Sequence, residues 1–178
     1  MKSTLALVGN PNVGKTALFN ALTGLSQNTG NYPGVTVDRK YGDIKINGFD
    51  TRVVDLPGTY SMAARSPDEI IVADVLMNQQ PGEDTIEGII AVIDASNLER
   101  NLYFFSQLLD LNLPIIMALN MIDIADRRGI VIDAEAMSRE LGLPVIPICA
   151  HKAIGVDRLK TEIQKVFNKE RQPTTAHC

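Results

Sequence analysis

Residues 9 to 16 read Gly9-Asn10-Pro11-Asn12-Val13-Gly14-Lys15-Thr16, between an apolar run, Leu5-Val8, and a helical pattern from Ala17 to Leu22. The spacing is G-x-x-x-x-G-K-[ST], and a strand before it with a helix after it is the setting that a phosphate-binding loop requires. The glycines permit a turn whose backbone N–H groups point inward at anionic oxygens, and the helix N-terminus adds partial positive charge. Lys15 brings a full charge to the β- and γ-phosphates, and the Thr16 hydroxyl is placed for Mg²⁺. Asn10, Pro11, Asn12, Val13, Gly14, Lys15, Thr16 and Ala17 are therefore the expected phosphate neighbours.

Outward from this loop, apolar runs alternate with helical patterns, as in βα units stacked around a mostly parallel sheet. Gly24 to Asp38 is rich in Gly, Asn and Thr without apolar periodicity, which predicts a long functional loop, a candidate switch. Ile44 and Ile46, then Phe49 and Val53-Val54, flank Asn47-Gly48, a hairpin signal that adds one antiparallel strand. Ser66-Pro67-Asp68-Glu69 reads as a capped helix start, with Ser66 as N-cap, Pro67 at the first helical position and Glu69 reaching back; the helix is expected to reach about Asn78.

Ile89-Ile93 and Ile115-Leu119 read as central parallel strands, with Leu98, Leu102, Phe105 and Leu109 at helical spacing between them. Asp133 caps a helix through Leu141 that Gly142 ends, Val145-Ile148 makes a last strand, and a terminal helix turns Val156, Leu159, Ile163 and Val166 inward. The expected fold is one α/β domain over residues 1–170. It has six strands, five parallel and one antiparallel, helices on both faces and the ligand at the C-terminal edge of the sheet; residues 171–178 form a polar tail.

The chain has 178 residues, 45% hydrophobic and 21% charged, which fits one domain. That length buries roughly 70% of the unfolded surface, so neither a disulfide nor a structural metal is needed. Seventeen basic against twenty-one acidic side chains give a charge of -4 with no basic block, so a nucleic-acid partner is not expected. Cys149, Cys178, His151 and His177 make neither a disulfide framework nor a Cys/His metal set. Cys149 reads as a small buried turn residue and His151 as a loop residue. The apolar stretches Gly88-Ile93 and Leu113-Leu119 fall far short of the ~20 residues that cross a bilayer. The expectation is a chain that neither spans a membrane nor is secreted, in a reducing cytosol.

Two further motifs complete a nucleotide site. Asp55-Leu56-Pro57-Gly58 follows Val53-Val54, placing a carboxylate to hold Mg²⁺ through water and a glycine N–H to meet the γ-phosphate. Asn120-Met121-Ile122-Asp123 follows Ile115-Leu119. A carboxylate there accepts from both N1–H and the exocyclic N2–H₂ of guanine, whereas adenine has no donor at N1. Polar sites reject such mismatches by factors of up to ~10⁴.

The three motifs, in this order and separation, resemble those of translation-factor-type GTPases, which implies a Ras-like P-loop G domain binding GTP and GDP. The resemblance makes Cys149-Ala150-His151-Lys152 a variant of the S-A-K guanine loop, with the Ala150 N–H offered to guanine O6. It also sets Thr36, within Gly34-Val35-Thr36-Val37, where the family's switch I threonine joins Thr16 and Asp55 around Mg²⁺.

More specifically, Gly9-Thr16 continued by Ala17-Leu18-Phe19-Asn20, then Gly30-Asn31-Tyr32-Pro33-Gly34-Val35-Thr36-Val37, Asp55-Leu56-Pro57-Gly58-Thr59-Tyr60-Ser61 and Asn120-Met121-Ile122-Asp123 resemble the bacterial ferrous iron transport protein B family, at its N-terminal G domain. The resemblance covers nearly the whole chain. It implies slow GTP hydrolysis that regulates Fe²⁺ uptake, with switch I over about residues 24–40 and switch II over about 56–67. A helical domain and a multi-spanning membrane region that carries Fe²⁺ are the implied partners, at the cytoplasmic face of the bacterial inner membrane, and homo-oligomerisation stays open. The alternatives are a ribosome- or tRNA-associated GTPase and a nucleotide-dependent interaction switch.

Two departures from the general GTPase pattern matter. Met121 stands where N-K-x-D has lysine, which implies weaker nucleotide binding, and Thr59 stands where Ras-like proteins have the glutamine that orients water. Catalytic roles therefore fall on Lys15, Asn12, Thr36 and Gly58. A monovalent cation is expected to supply the missing counter-charge: Asn12 offers a side-chain oxygen, Asn28-Gly34 a carbonyl cap, and the resemblance points to K⁺.

Overall fold

The structure, a computed structural model, describes residues 3–24, 27–32, 35–46, 48–63, 65–77 and 85–168. Its centre is β1 (Ser3–Gly9), seven residues buried throughout because parallel strands flank it on both sides. β4 (Phe49–Asp55) lies on one side, and β5 (Gly88–Asp94) on the other, followed by β6 (Ile115–Asn120) and β7 (Val145–Pro147), all parallel. Beyond β4, β3 (Asp38–Ile46) pairs antiparallel with β4, and β2 (Gln27–Asn31) pairs antiparallel with β3. The sheet order is thus β2-β3-β4-β1-β5-β6-β7.

Side chains alternate across the sheet and build a core on each face. Leu5 and Leu7 point to the face covered by α1 (Lys15–Thr23) and α6 (Val156–Asn168), where Leu18, Phe19, Leu159, Ile163 and Phe167 are buried. Ala6 and Val8 point to the face covered by α2 (Pro67–Leu76) and α3 (Leu98–Leu109), where Ile71, Val75, Phe104, Phe105 and Leu108 are buried. α5 (Ala134–Leu141) lays Met137 and Leu141 against that second core. The α/β architecture with helices on both faces stands as expected.

Three details differ from the sequence reading. The sheet has seven strands rather than six, because part of the segment read as a loop is β2, an exposed polar strand. β2 is held by backbone pairing to β3 and by the Gln27 side-chain amide, which donates to Asn20 Oδ1, so it carries no apolar alternation to betray it. The inward face of α3 is Phe104, Phe105 and Leu108, while Leu109 is 40% exposed. A short helix, α4 (Ile122–Arg127), opens inside the Asn120-Asp123 motif. Asn47, Asn78 and the tail 171–178 lie outside the described residues; Gly48, at φ +89°, fits the hairpin turn. Among the described residues no helix is long and apolar enough to cross a membrane.

The start of α2 is capped as its sequence predicts. The Ser66 hydroxyl accepts from the Glu69 N–H at 3.2 Å, and the Glu69 carboxylate accepts from the N–H groups of Ser66 at 3.1 Å and Arg65 at 3.0 Å. Those bonds, the one from Arg65 first, hold the Glu69 carboxyl below its ordinary range despite partial desolvation. Replacing Ser66 with Ala should cost about 1 kcal/mol of stability. It should appear as a lower urea midpoint at unchanged slope; an unmoved midpoint would show that the cap contributes nothing.

Candidate functional site

The C-terminal ends of β1, β4 and β6 deliver Gly9, Asp55 and Asn120 to one edge of the sheet. There a pocket of about 630 Å³ opens between Pro11, Asn12, Lys15, Thr16, Gly58 and Met121. Asn10 and Gly14 also border it, as does Asp68, which the sequence did not single out.

The phosphate loop folds through two left-handed residues, Asn12 at φ +65° and Gly14 at φ +84°. Gly14 is the N-cap of α1, and a Cβ there would stand 2.3 Å from Asn120 Nδ2, so only glycine fits. Asn10 borders the pocket while its side chain turns inward: it is 3% exposed and donates to the Arg100 carbonyl at 3.3 Å. Asn12 and Thr16 are exposed towards the pocket.

Lys15 Nζ is ion-paired with Asp55 Oδ1, and both side chains are nearly buried. A buried carboxylate needs a cation. That the ammonium of the phosphate loop fills the need shows that the Asp55 environment accepts positive charge. With the Thr16 hydroxyl open to the pocket, these two residues fit the Mg²⁺ expected of them. Thr36 is exposed and does not border the pocket in this conformation, and Gly34 lies outside the described residues. Val35 is 40% exposed. Asn12, the residue expected to offer K⁺ an oxygen, borders the pocket. The expected carbonyl cap is not a free loop, because Asn28 to Asn31 are paired in β2 with β3.

Asn120 joins the phosphate loop to the base-reading loop. Its Nδ2 donates to the Val13 carbonyl at 2.9 Å, and its Oδ1 accepts from the Ala150 N–H at 2.9 Å, with the side chain 3% exposed. The Ala150 N–H, expected to meet guanine O6, is therefore committed to Asn120 in this structure. Met121 follows in the left-handed region at φ +61° and starts α4; its methyl would lie 3.7 Å from a Cβ on Gly14, so the side chain covers the loop.

Asp123 stands one residue inside α4, its side chain 19% exposed. Oδ2 accepts from Lys152 Nζ at 3.1 Å and lies 3.7 Å from His151 Nε2. Oδ1 is buried with no hydrogen-bond partner, an acceptor awaiting a donor. The Lys152 hydrogen bond lowers the carboxyl pKa most; burial opposes it, and the Cys149 thiol with the charges of Lys152 and His151 lowers it further. An ionised, acceptor-only Asp123 is the form that reading two guanine donors requires. Cys149 is 1% exposed, and burial beside Asp123 pushes its thiol pKa up.

The segment after β4 is pinned beneath the phosphate loop. A Cβ on Gly58 would stand 3.0 Å from Pro11 Cα, and the Thr59 N–H donates to the Gly9 carbonyl at 3.2 Å. Thr59 is 2% exposed, and its hydroxyl donates to the Ser61 carbonyl at 2.9 Å. The hydroxyl is engaged in the interior instead of pointing into the pocket.

Residues 3–163 match the family model described as ferrous iron transport protein B. The Fe(2+) transporter FeoB of Salmonella typhimurium is 46% identical over 168 residues, which is 92% of this chain and 21% of that protein. The transporter of Escherichia coli K12 gives the same figures, so the chain spans about a fifth of the length of these curated relatives. Among solved structures, the cytosolic domain of L. pneumophila FeoB aligns at TM-score 0.86 and 47% identity, over 92% of this chain and 63% of that one. The G domain of the T. maritima FeoB iron transporter aligns at 0.84 and 38%, over 93% and 99%. An S. thermophilus NFeoB mutant bound to mGDP aligns at 0.87 and 41%, over 98% and 65%.

The double role of Asn120 sets its own test. Asn120→Ala would strand the Val13 carbonyl and the Ala150 N–H, at about 1–3 kcal/mol for each group left unpaired. Urea unfolding of the nucleotide-free protein should show that loss; parental stability in the variant would mean that the two loops do not depend on the clamp.

Proposed function

The chain belongs to the ferrous iron transport protein B family, and on that premise we propose that it is the transporter's guanine-nucleotide switch, binding GTP and hydrolysing it slowly. One observation carries the reading: the Asn120 amide holds the phosphate loop and the Cys149-Lys152 loop together at 2.9 Å on each side, with ionised Asp123 three residues on. Phosphate binding and base reading are thus assembled as one unit around an open pocket.

In this reading Lys15 exchanges partners. It leaves the Asp55 carboxylate for the β- and γ-phosphates as nucleotide enters, and Asp55 and Thr16 become the residues that would hold Mg²⁺. That ion supplies neutralisation of charge on the β- and γ-oxygens. The N–H groups of the phosphate loop orient the phosphates, and Gly58, held against Pro11, offers its N–H towards the γ-phosphate. Thr36 joins once switch I closes over the nucleotide. Met121 covers the base and loop with an apolar arm in place of an ammonium, which favours modest affinity.

Turnover is slow in this proposal because no side chain takes the glutamine's part. Thr59 keeps its hydroxyl on the Ser61 carbonyl, leaving water to be held by backbone groups. An arginine finger elsewhere is worth ~10³–10⁵ in rate. We assign its counter-charge to K⁺, held in part by the Asn12 side chain. The chain spans 21% of the curated transporter, and its readout in this proposal is the membrane region that carries Fe²⁺, from that region's cytoplasmic side.

Two measurements test the assignment. Asp123→Asn should weaken GTP binding and favour a xanthine nucleotide, whose C2 oxygen accepts from the new amide; equal affinity of the parent for ATP and GTP would refute the base reading. GTPase rates in KCl should exceed those in NaCl at matched ionic strength, and Asn12→Ala should erase the difference. Equal rates in the two salts would remove K⁺ from the mechanism.

A further inference from the structure

The base-reading corner holds more chemistry than guanine needs. Asp123, Cys149 and His151 bring one ligand atom each to within 4.8 Å of one another: a carboxylate oxygen, a thiol sulfur and an imidazole nitrogen. His151 Nε2 lies 3.8 Å from Cys149 Sγ and 3.7 Å from Asp123 Oδ2. Bonds of 2.0–2.3 Å around a tetrahedral ion require ligand–ligand edges of about 3.3–3.8 Å. Both edges to His151 are already near that length, and the third, between Asp123 and Cys149, falls within 4.8 Å, so a shift of about an ångström along it would close the three atoms around one metal.

We propose that these three side chains form a site for a borderline divalent cation of the Zn²⁺, Fe²⁺ or Co²⁺ class, and that its occupation excludes guanine. The donor set of thiolate, imidazole and carboxylate selects that class over Mg²⁺, which takes oxygen ligands. The site is braced on the protein side. The Cys149 N–H donates to the Ile154 carbonyl at 3.0 Å and the Ile154 N–H to the Cys149 carbonyl at 3.1 Å, which fixes the turn that carries both Cys149 and His151. The two cations now on Asp123 Oδ2, Lys152 at 3.1 Å and Arg127 at 3.8 Å, are 51% and 74% exposed and free to swing into solvent. A fourth position is left for water.

The exclusion follows from shared use of one carboxylate. Reading guanine N1–H and N2–H₂ engages both Asp123 oxygens, and a metal on Oδ2 claims one of them. This part rests on the guanine reading above; the metal site itself does not. In a chain related to Fe²⁺ transporters, such a site would let a transition metal release the nucleotide.

The experiment uses Co²⁺ as the probe, in a Cys178→Ser background so that Cys149 is the one thiol left of the two in the chain. Without nucleotide, Co²⁺ should produce a sulfur-to-cobalt charge-transfer band that Cys149→Ser abolishes and His151→Ala weakens. With Mg²⁺ in excess, Co²⁺ at ten times its own Kd should raise the apparent Kd for GDP about tenfold in the parent. In the two variants the ratio of Kd with and without Co²⁺ should fall close to one; chelation of Co²⁺ by the diphosphate is common to all proteins and cancels in the comparison. Absence of the band overturns the site, whatever GDP does. A band with unchanged GDP affinity overturns the exclusion. GDP binding without cobalt, measured against ADP, judges the guanine reading separately.

Discussion

The side-chain amide of Asn120 is the interaction on which the rest of the site depends. A buried carbonyl at Val13 and a buried N–H at Ala150 belong to loops that no regular ladder joins, and each needs a partner. One amide, carrying a donor and an acceptor at opposite corners, serves both at 2.9 Å. The constraint spreads from there. Gly14 must be glycine because Asn120 occupies the space of its Cβ, and a left-handed Gly14 in turn aims the start of α1, with Lys15, at the pocket.

The second constraint is electrostatic. Asp55 sits at the end of a buried strand, 7% exposed, where an unpaired carboxylate would be costly. Lys15 meets that need across 40 residues of sequence and ties the end of β4 to the phosphate loop. The pair keeps both charges in the interior in a form that a polyanion and its counter-ion can separate. A site built this way is pre-charged for phosphate without leaving a bare cation or anion behind.

Much of this was legible in the residues alone. The phosphate loop announces itself because glycine, lysine and threonine at fixed spacing answer to local backbone geometry, as do Ser66 and Glu69 at the head of α2 and Gly142 at the end of α5. β2 was not legible, since Gln27–Asn31 is a mostly exposed strand fixed by its neighbour's backbone and not by an apolar face of its own. The engagement of the Ala150 N–H, the inward turn of Asn10 and the burial of Thr59 were hidden for a related reason: each depends on a partner distant in sequence or on the way a loop folds back. Cys149 and His151 read as turn and loop residues because the third member of their cluster, Asp123, arrives from another strand end.

The register of β3 on β4 decides what kind of motion the first part of the chain can make. Ile44 and Ile46 are buried while Asp43 and Lys45 are exposed, so a slip of one residue would carry charge into the core and isoleucine into water. Sliding is thereby forbidden. The same ladder sets Lys40 opposite Asp55, next to the phosphate loop's own ion pair. Lys40–Asp55 is the first rung of that ladder and Ile46–Phe49, beside the turn, the last, so β3 frays from β4 starting at the end beside the nucleotide site.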